Sequence, residues 1–178
     1  LTRKMFASAF GVPERSIYIS GYPRNDQMIL ASRDRLRIRG KLPMELEADQ
    51  RLLIWMPTYR KRTFLYERED GKEAGNPFYI PNFDLQRFNA LLKAHRCICL
   101  VKPHPMAISY PVGTHADQVL FIDDQWIADQ QLTLYELLGC TDLLISDVSS
   151  VMVDYLLLDR PILCMSTDFE DYKKSRGF

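Results

Sequence analysis

Short runs of consecutive apolar residues alternate along this chain with longer segments of mixed polarity. Six of these runs are typical of β-strands, because they are rich in Ile, Leu, Val and Cys and most of them end at turn-forming residues. The predicted strands span residues 17–20, 51–56, 97–101, 119–122, 143–146 and 162–165. Most of the runs are continuous rather than alternating, which indicates strands that are covered on both faces.

Helical spacing of apolar residues fills several of the segments between these strands. Leu and Phe recur at three- and four-residue steps over residues 85–92, with Asn82 or Asp84 as the candidate N-cap. Similar patterns cover residues 134–139 and 151–158. Strands that alternate with helices predict an α/β fold with a Rossmann-like parallel sheet and flanking helices.

Composition narrows the class of protein. Hydrophobic residues make up 47% and charged residues 26%, as in an ordinary globular domain, so we expect one domain over residues 1–178. The 23 basic residues equal the 23 acidic ones, which argues against a nucleic-acid binder that works through bulk charge. A polar stretch rich in turn formers predicts a long surface loop over residues 61–82.

The cysteines and histidines suggest neither a disulfide framework nor a zinc site. Cys97, Cys99, Cys140 and Cys164 lie in apolar stretches without a C-x-x-C pair, which is typical of buried, reduced thiols in a cytosolic protein. The three histidines lack metal-ligand spacing, either to each other or to the cysteines. We therefore expect no metal ligands among these residues.

Candidate chemistry follows three of the predicted strands, where parallel sheets bind their ligands. The candidate residues are Thr58, Arg60, Lys102, His104, Ser146, Asp147, Ser149 and Ser150. Arginine can contact phosphate oxygens in a bidentate manner, and N–H groups at a helix N-terminus bind anions. Asp147 and Ser149 have an alternative reading as helix N-caps. Taken together, the strand ends predict an anion or nucleotide site without specifying a reaction.

An ordered set of motifs resembles the CDP-glycerol:poly(glycerophosphate) glycerophosphotransferase family, which is known for teichoic acid and capsule polymerases. The motifs are Gly-Tyr-Pro-Arg-Asn-Asp at 21–26, Met-Pro-Thr-Tyr-Arg at 56–60, Lys-Pro-His-Pro at 102–105, Asp-Leu-Leu-Ile-Ser-Asp-Val-Ser-Ser at 142–150, Asp-Tyr-Leu-Leu-Leu-Asp-Arg-Pro at 154–161 and Tyr-Lys-Lys-Ser-Arg-Gly-Phe at 172–178. The resemblance runs from about residue 5 to the last residue.

This resemblance implies the C-terminal, donor-binding half of a GT-B architecture. The implied reaction moves glycerol-phosphate or ribitol-phosphate from a CDP-activated donor to an acceptor hydroxyl and releases CMP, in teichoic acid or capsule synthesis. His104 would act catalytically at the donor pyrophosphate, and Asp154 and the loop over residues 21–26 would be weaker donor-site candidates. The family's acceptor half, with its second catalytic histidine, and its C-terminal end have no counterpart here. We therefore expect this fragment alone to be inactive.

The resemblance also implies partners. The donor would be CDP-glycerol or a related CDP-polyol, and the acceptor a polyol-phosphate polymer or a lipid-linked molecule. No nucleic acid is expected, and Mg²⁺ could accompany the donor pyrophosphate. The family implies a cytoplasmic protein at the inner face of the cell membrane with peripheral membrane contact. The basic run over residues 33–39 is either a solvated helix face or a patch for phosphate polymers or anionic lipids.

Two alternative functions remain open at this stage. One is a GT-B glycosyltransferase that uses a nucleotide sugar, a class that usually carries a Glu where the corresponding helix here offers Asp154. The other is a non-catalytic Rossmann-like binding module.

Overall fold

The computed structural model describes residues 2–58, 80, 82–104, 115–147 and 149–165. In these ranges the strands are β1 (Arg51–Met56), β2 (Cys97–Val101), β3 (His115–Ala116), β4 (Val119–Phe121), β5 (Leu143–Ser146) and β6 (Ile162–Cys164). The helices are α1 (Thr2–Phe10), α2 (Pro23–Arg33), α3 (Arg35–Arg39), α4 (Leu85–Ala94), α5 (Asp124–Asp129), α6 (Leu134–Cys140) and α7 (Val151–Tyr155). Short 3₁₀ turns cover Glu14–Ser16 and Leu156–Leu158.

The strands of the described chain form one sheet in the order β3-β4-β2-β1-β5-β6. All neighbouring pairs are parallel except β3 and β4, which are antiparallel. The chain moves outward from β1 through β2 to β4, and then returns to the other side of β1 with β5. The prediction of a Rossmann-like α/β sheet is confirmed. The reversal of strand order between β1 and β5 marks the point where such sheets open a ligand crevice at their carboxyl ends.

Apolar side chains cover both faces of the sheet. In β1, Leu52 and Ile54 face a core that also holds buried side chains of α2, α3, α6 and α7. Leu53 and Trp55 face a second core on the side of α4. There the rings of Phe83 and Phe88 meet Trp55 edge-on at centroid distances of 5.7 and 5.5 Å. Burial on both faces explains why β1 is a continuous apolar run.

Helices α2 and α6 pack unusually closely at Gly139. A Cβ atom at this position would lie 2.4 Å from the carbonyl oxygen of Met28 and 2.7 Å from Cβ of Ala31. The contact therefore requires the absence of a side chain, and it brings the beginning of α2 onto the same side of the sheet as α7.

The predicted helices form, with differences at their ends. Asp84 rather than Asn82 caps α4, since its carboxylate accepts a 2.9 Å hydrogen bond from the Arg87 backbone N–H. Asn82 instead adopts a left-handed conformation. The helix predicted over residues 151–158 divides into α7 and the 3₁₀ turn that follows it.

The basic run over residues 33–39 is neither entirely a solvated helix face nor entirely a patch for phosphate polymers or anionic lipids. Arg35 and Arg39 both donate hydrogen bonds to the carboxylate of Asp142, at the amino end of β5. The same carboxylate accepts a 2.7 Å bond from the Leu52 backbone N–H at the amino end of β1. Arg37 is half-exposed and pairs with Asp34 at 2.8 Å. The run thus anchors α3 to the sheet through two arginines and leaves a third on the surface.

Two sequence predictions are wrong. Residues 17–20 do not form a strand, and Tyr18 and Ile19 are 85% and 69% exposed. A β-type pattern becomes a strand only where it finds a pairing partner, and no described strand pairs with this segment. Cys164 is exposed on the edge strand β6, whereas Cys97, Cys99 and Cys140 are buried as predicted. The predicted loop over residues 61–82 lies almost entirely outside the described residues.

Candidate functional site

A cavity of about 280 Å³ opens at the carboxyl ends of β1, β2 and β5. Its described lining comes from the last residue of β1 and from the segments that follow the three strands, and comprises Met56, Pro57, Thr58, Lys102, Pro103, His104, Ser149 and Ser150. Five of the residues predicted to bind the donor therefore meet at one place, although they are spread over more than 90 positions of the sequence. The cavity lies where parallel sheets of this topology bind their ligands.

Lys102 and His104 are the basic side chains among the described residues of this lining. Lys102 is 5% exposed, and its Nζ lies 3.0 Å from Oδ1 of Asp124 at the start of α5. His104 is exposed at the cavity. The prolines on either side of His104 restrict its backbone. The site thus combines a buried, paired ammonium group with an imidazole that is accessible to a ligand.

Ser146 and Asp147 lie behind this lining and connect two strands. The hydroxyl of Ser146 donates a 2.8 Å hydrogen bond to the carbonyl of Met56. Asp147 is 4% exposed and its Oδ1 accepts a 2.9 Å bond from the Thr58 backbone N–H. Both residues were predicted as phosphate contacts. The structure gives them contacts that hold the end of β1 beside the end of β5.

Ser149 and Ser150 form the entry to α7. The backbone N–H of Ser149 donates a 2.8 Å bond to the carbonyl of Asp147. Ser150, rather than Asp147 or Ser149, occupies the N-cap position, and its side chain makes no capping hydrogen bond. The N-cap reading of Asp147 and Ser149 is therefore wrong, and both serines are found at the cavity instead.

Asp154 lies one turn further along α7 and is the buried member of a polar cluster. It is 5% exposed and accepts bonds from Nε and Nη2 of Arg24 at 3.1 and 2.9 Å. Nδ2 of Asn25 lies 3.3 Å from Oδ1, and the hydroxyl of Tyr135 lies 2.6 Å from Oδ2. Burial, together with the bond to Asp154, raises the pKa of Tyr135 to about 12, so the phenol stays a donor at neutral pH. Asp154 is not among the described residues that line the cavity.

Two further properties concern only the described part of the chain. No group of three or more His, Cys, Asp or Glu residues there comes together in a way that could hold a metal ion. No helix there is long and apolar enough to cross a membrane. Arg60, predicted as a phosphate contact, lies outside the described residues, so its contribution stays a prediction.

The whole sequence, residues 1–178, matches the family described as CDP-Glycerol:Poly(glycerophosphate) glycerophosphotransferase. The chain belongs to this glycerophosphotransferase family. The resemblance proposed from the ordered motifs is thereby confirmed.

Relatives within the glycerophosphotransferase family act in teichoic acid synthesis. The chain is 28% identical to teichoic acid ribitol-phosphate polymerase TarK of Staphylococcus aureus, with 97% of this chain and 31% of that protein covered. It is 29% identical to a teichoic acid glycerol-phosphate transferase of the same organism, with 98% of this chain and 41% of that protein covered. The chain thus spans less than half the length of these relatives.

A solved structure of the wall teichoic acid polymerase TagF shares the fold, with a TM-score of 0.70 and 25% identity over 97% of this chain and 39% of the polymerase. A histidine-to-asparagine variant of TagF soaked with CDPG matches with a TM-score of 0.67 and 28% identity, over 96% of this chain and 37% of that one. These likenesses show that the chain shares its α/β fold with part of TagF.

Several residues around the site did not emerge from the sequence. Asp124, which pairs with Lys102, and Tyr135, which donates to Asp154, carry no motif of their own. Arg24 and Asn25 belong to the loop over residues 21–26 that the resemblance marked only as a weaker candidate. The sequence signal for these two residues is Pro23, because proline is common in the first turn of a helix and Pro23 lies in the first turn of α2.

Proposed function

We propose that this chain is the donor-binding part of an enzyme that transfers a polyol-phosphate from a CDP-activated donor to an acceptor hydroxyl. The observation that carries the proposal is the cavity at the ends of β1, β2 and β5, where Lys102, His104 and the hydroxyls of Thr58, Ser149 and Ser150 converge. Cationic groups and hydroxyl donors at this sheet edge suit a pyrophosphate. The match to TagF soaked with CDPG supports a CDP-linked donor.

The transfer is an in-line displacement at the β-phosphorus of the donor. The acceptor oxygen forms a bond to this phosphorus, and the bond from phosphorus to the bridging oxygen breaks, with its electron pair leaving on CMP. The acceptor proton passes to a base. The resemblance assigns that base to the acceptor half of the family. In this proposal, the residues that line the described cavity act on the leaving group.

His104 is the proposed catalytic residue. Its exposed imidazole lines the cavity and can donate a hydrogen bond to the phosphate oxygen on which charge develops as CMP departs. Lys102 adds a positive charge to the cavity lining, and its pairing with Asp124 partly neutralises this charge. Preorganised donors of this kind contribute about 3–4 kcal/mol each to transition-state stabilisation.

Thr58, Ser149 and Ser150 would hold the pyrophosphate, with Arg60 as a further predicted contact. Ser146 and Asp147 would support them from behind, through their bonds to Met56 and Thr58. In this assignment, the residues predicted at the strand ends divide into those that touch the donor and those that hold the loops in place.

The polyol and the acceptor are inferred from the relatives, which include both ribitol-phosphate and glycerol-phosphate enzymes. We infer a donor of the CDP-glycerol or CDP-ribitol class and an acceptor that is a polyol-phosphate polymer or a lipid-linked molecule. Such an acceptor would bring the protein to the inner face of the cell membrane by peripheral contact. Co-sedimentation of the full-length protein with anionic vesicles tests that contact. A protein that does not co-sediment would contradict the membrane contact but not the donor assignment.

Donor binding is tested by titrating the full-length protein with CDP-glycerol, CDP-ribitol, CMP and UDP-glucose while following thermal unfolding. A ligand at a hundredfold excess over its dissociation constant stabilises the fold by about 2.7 kcal/mol, which gives a measurable shift of Tm. We expect a shift with CMP and with at least one CDP-polyol, and none with UDP-glucose. A shift with UDP-glucose alone would instead identify a glycosyltransferase, and no shift with any ligand would indicate a non-catalytic module.

A further inference from the structure

The polar cluster around Asp154, in which the carboxylate is buried and the Arg24 side chain is 43% exposed, connects the entry of α7 to two other helices. Asp154 lies four residues after Ser150, and its backbone N–H bonds to the Ser150 carbonyl at 3.4 Å. Its side chain receives donors from Arg24 on α2 and from Tyr135 on α6. The serines at the cavity and the Arg24–Asp154 pair are therefore about one helical turn apart, and a shift of α7 moves both.

The helix that follows these serines has few local restraints of its own. α7 has only five residues, and the side chain at its N-cap makes no capping bond. Its orientation therefore depends on what its buried side chains contact. Val151 and Tyr155 pack into the core, and Asp154 makes the polar contact to the first turn of α2.

Arg24 is suited to hold Asp154 in one orientation. It approaches the carboxylate with both Nε and Nη2, and its guanidinium carbon lies 4.4 Å above the centre of the Tyr22 ring. The Tyr135 ring lies 5.4 Å from the same carbon. Both Arg24 donors bind the same oxygen, Oδ2, and the two ring contacts restrict where the guanidinium can lie.

We propose that Arg24 is a positioning residue for the donor site, acting through Asp154 to hold Ser149 and Ser150 where the donor phosphate binds. This inference rests on the proposed function. It assigns Asp154 to the support of α7 rather than to direct contact with the donor. Loss of Arg24 leaves a buried carboxylate without its cation, and α7 shifts to hydrate it.

The test compares Arg24→Ala, Arg24→Lys and Tyr135→Phe in the full-length protein. Arg37→Ala serves as the matched control, because Arg37 forms an exposed pair with Asp34 on α3, away from the cavity. We expect Arg24→Ala to raise the donor KM about tenfold while kcat changes less than about threefold. Arg24→Lys should recover part of the affinity, and Arg37→Ala should match the wild type. If Arg24 only maintained the fold, Arg24→Ala would reduce the fraction of active enzyme. The apparent kcat would then fall, and the donor KM would stay unchanged.

A double variant separates positioning from direct contact. If Arg24 acts through Asp154, the Arg24→Ala/Asp154→Asn protein binds CDP-glycerol no more weakly than Arg24→Ala, because the uncompensated charge is gone. If the double variant instead lost as much affinity as Arg24→Ala and Asp154→Asn lose in sum, Arg24 would touch the donor itself and the inference would be overturned. Should Arg24→Ala fail to fold, Tyr135→Phe removes one bond to Asp154 and should raise KM two- to fivefold.

The two levels of the argument fail differently. Wild-type protein that binds neither CDP-glycerol nor CDP-ribitol overturns the proposed function, and this inference with it. Wild-type binding together with an unchanged donor KM in folded Arg24→Ala and Tyr135→Phe overturns the inference alone.

Discussion

The backbone N–H of Thr58 donates a 2.9 Å hydrogen bond to Oδ1 of Asp147, and this bond joins the ends of β1 and β5 at the point where the strand order reverses. The Asp147 carboxylate therefore fixes the segment that follows β1. This pair gives an acidic residue beside the cavity a structural role.

Replacing Asp147 tests this bridge. Asp147→Asn keeps a side-chain oxygen for the Thr58 N–H and removes the charge, so we expect CDP-glycerol affinity in the full-length protein to stay within about threefold of wild type. Asp147→Ala removes the acceptor of this bond, which costs about 1–3 kcal/mol and should weaken binding about tenfold. Calorimetric titration of both variants measures the difference. Equal losses in the two would show that the charge, rather than the bridge, matters.

The close approach of α2 and α6 predicts a large effect from one methyl group. Gly139→Ala places Cβ against the Met28 carbonyl oxygen, so the helices must separate, at a cost of about 1–3 kcal/mol. Thermal unfolding should show the loss as a lower Tm. Adding Ala31→Gly should not restore stability, because the Met28 oxygen remains in the way. Unchanged stability in Gly139→Ala would contradict the packing described here.

The cysteines should differ sharply in reactivity. Burial raises the pKa of the Cys99 thiol well above its usual range and that of Cys140 to about 12, and Cys97 is raised in the same way. Cys164 is exposed on β6. Under native conditions we expect a maleimide to modify Cys164 first, as mass spectrometry of this chain would show. Rapid labelling that persists in Cys164→Ser would mean that the core opens on the timescale of the reaction.

Asp142 should make stability depend on pH in the acid range. Burial alone would raise its pKa, but the bond from Arg35, the Leu52 N–H and the charge of Arg39 outweigh burial and hold the pKa below its ordinary value of 3.8. A lowered folded-state pKa contributes stability that is present above the unfolded pKa and is lost as pH falls through the folded one.

The matched variant for this effect is Asp142→Asn. We expect its Tm to lie below that of wild type at pH 7, and the gap to narrow as the pH falls below about 4. Scanning calorimetry from pH 7 to pH 3 measures the gap. A gap that stays constant over this range would contradict the role assigned to the Asp142 carboxylate.

The strands at the centre of the sheet were predictable because burial on both faces leaves a continuous apolar run, as in Arg51–Met56 and Cys97–Val101. The residues after them were predictable as site candidates, because parallel strands bring their carboxyl ends to one edge. The segment over residues 17–20 has the same local pattern but no partner strand, which local sequence does not reveal. Helix α2 was missed because its apolar residues follow one another over 28–31 instead of recurring at helical spacing.

The support of the site was less predictable than its lining. Arg24 and Asp154 are 130 positions apart, and their contact depends on how α2 packs against α6. Nothing in the local sequence of either residue indicates the other. The pairing of Lys102 with Asp124 has the same origin, since it follows from β2 and β4 being neighbours in the sheet.

The central claim is most directly tested by transfer in the full-length protein. Labelled CDP-glycerol or CDP-ribitol and a polyol-phosphate acceptor are supplied, and CMP release is measured together with incorporation into polymer. We predict one CMP per polyol-phosphate transferred and a loss of about 100-fold or more in His104→Ala with the fold intact. We predict near wild-type rates in His95→Ala, because His95 lies at the C-terminal end of α4 with an exposed side chain, at the opposite sheet edge. Near wild-type transfer by His104→Ala, or polymer formation without CMP release, would contradict the account.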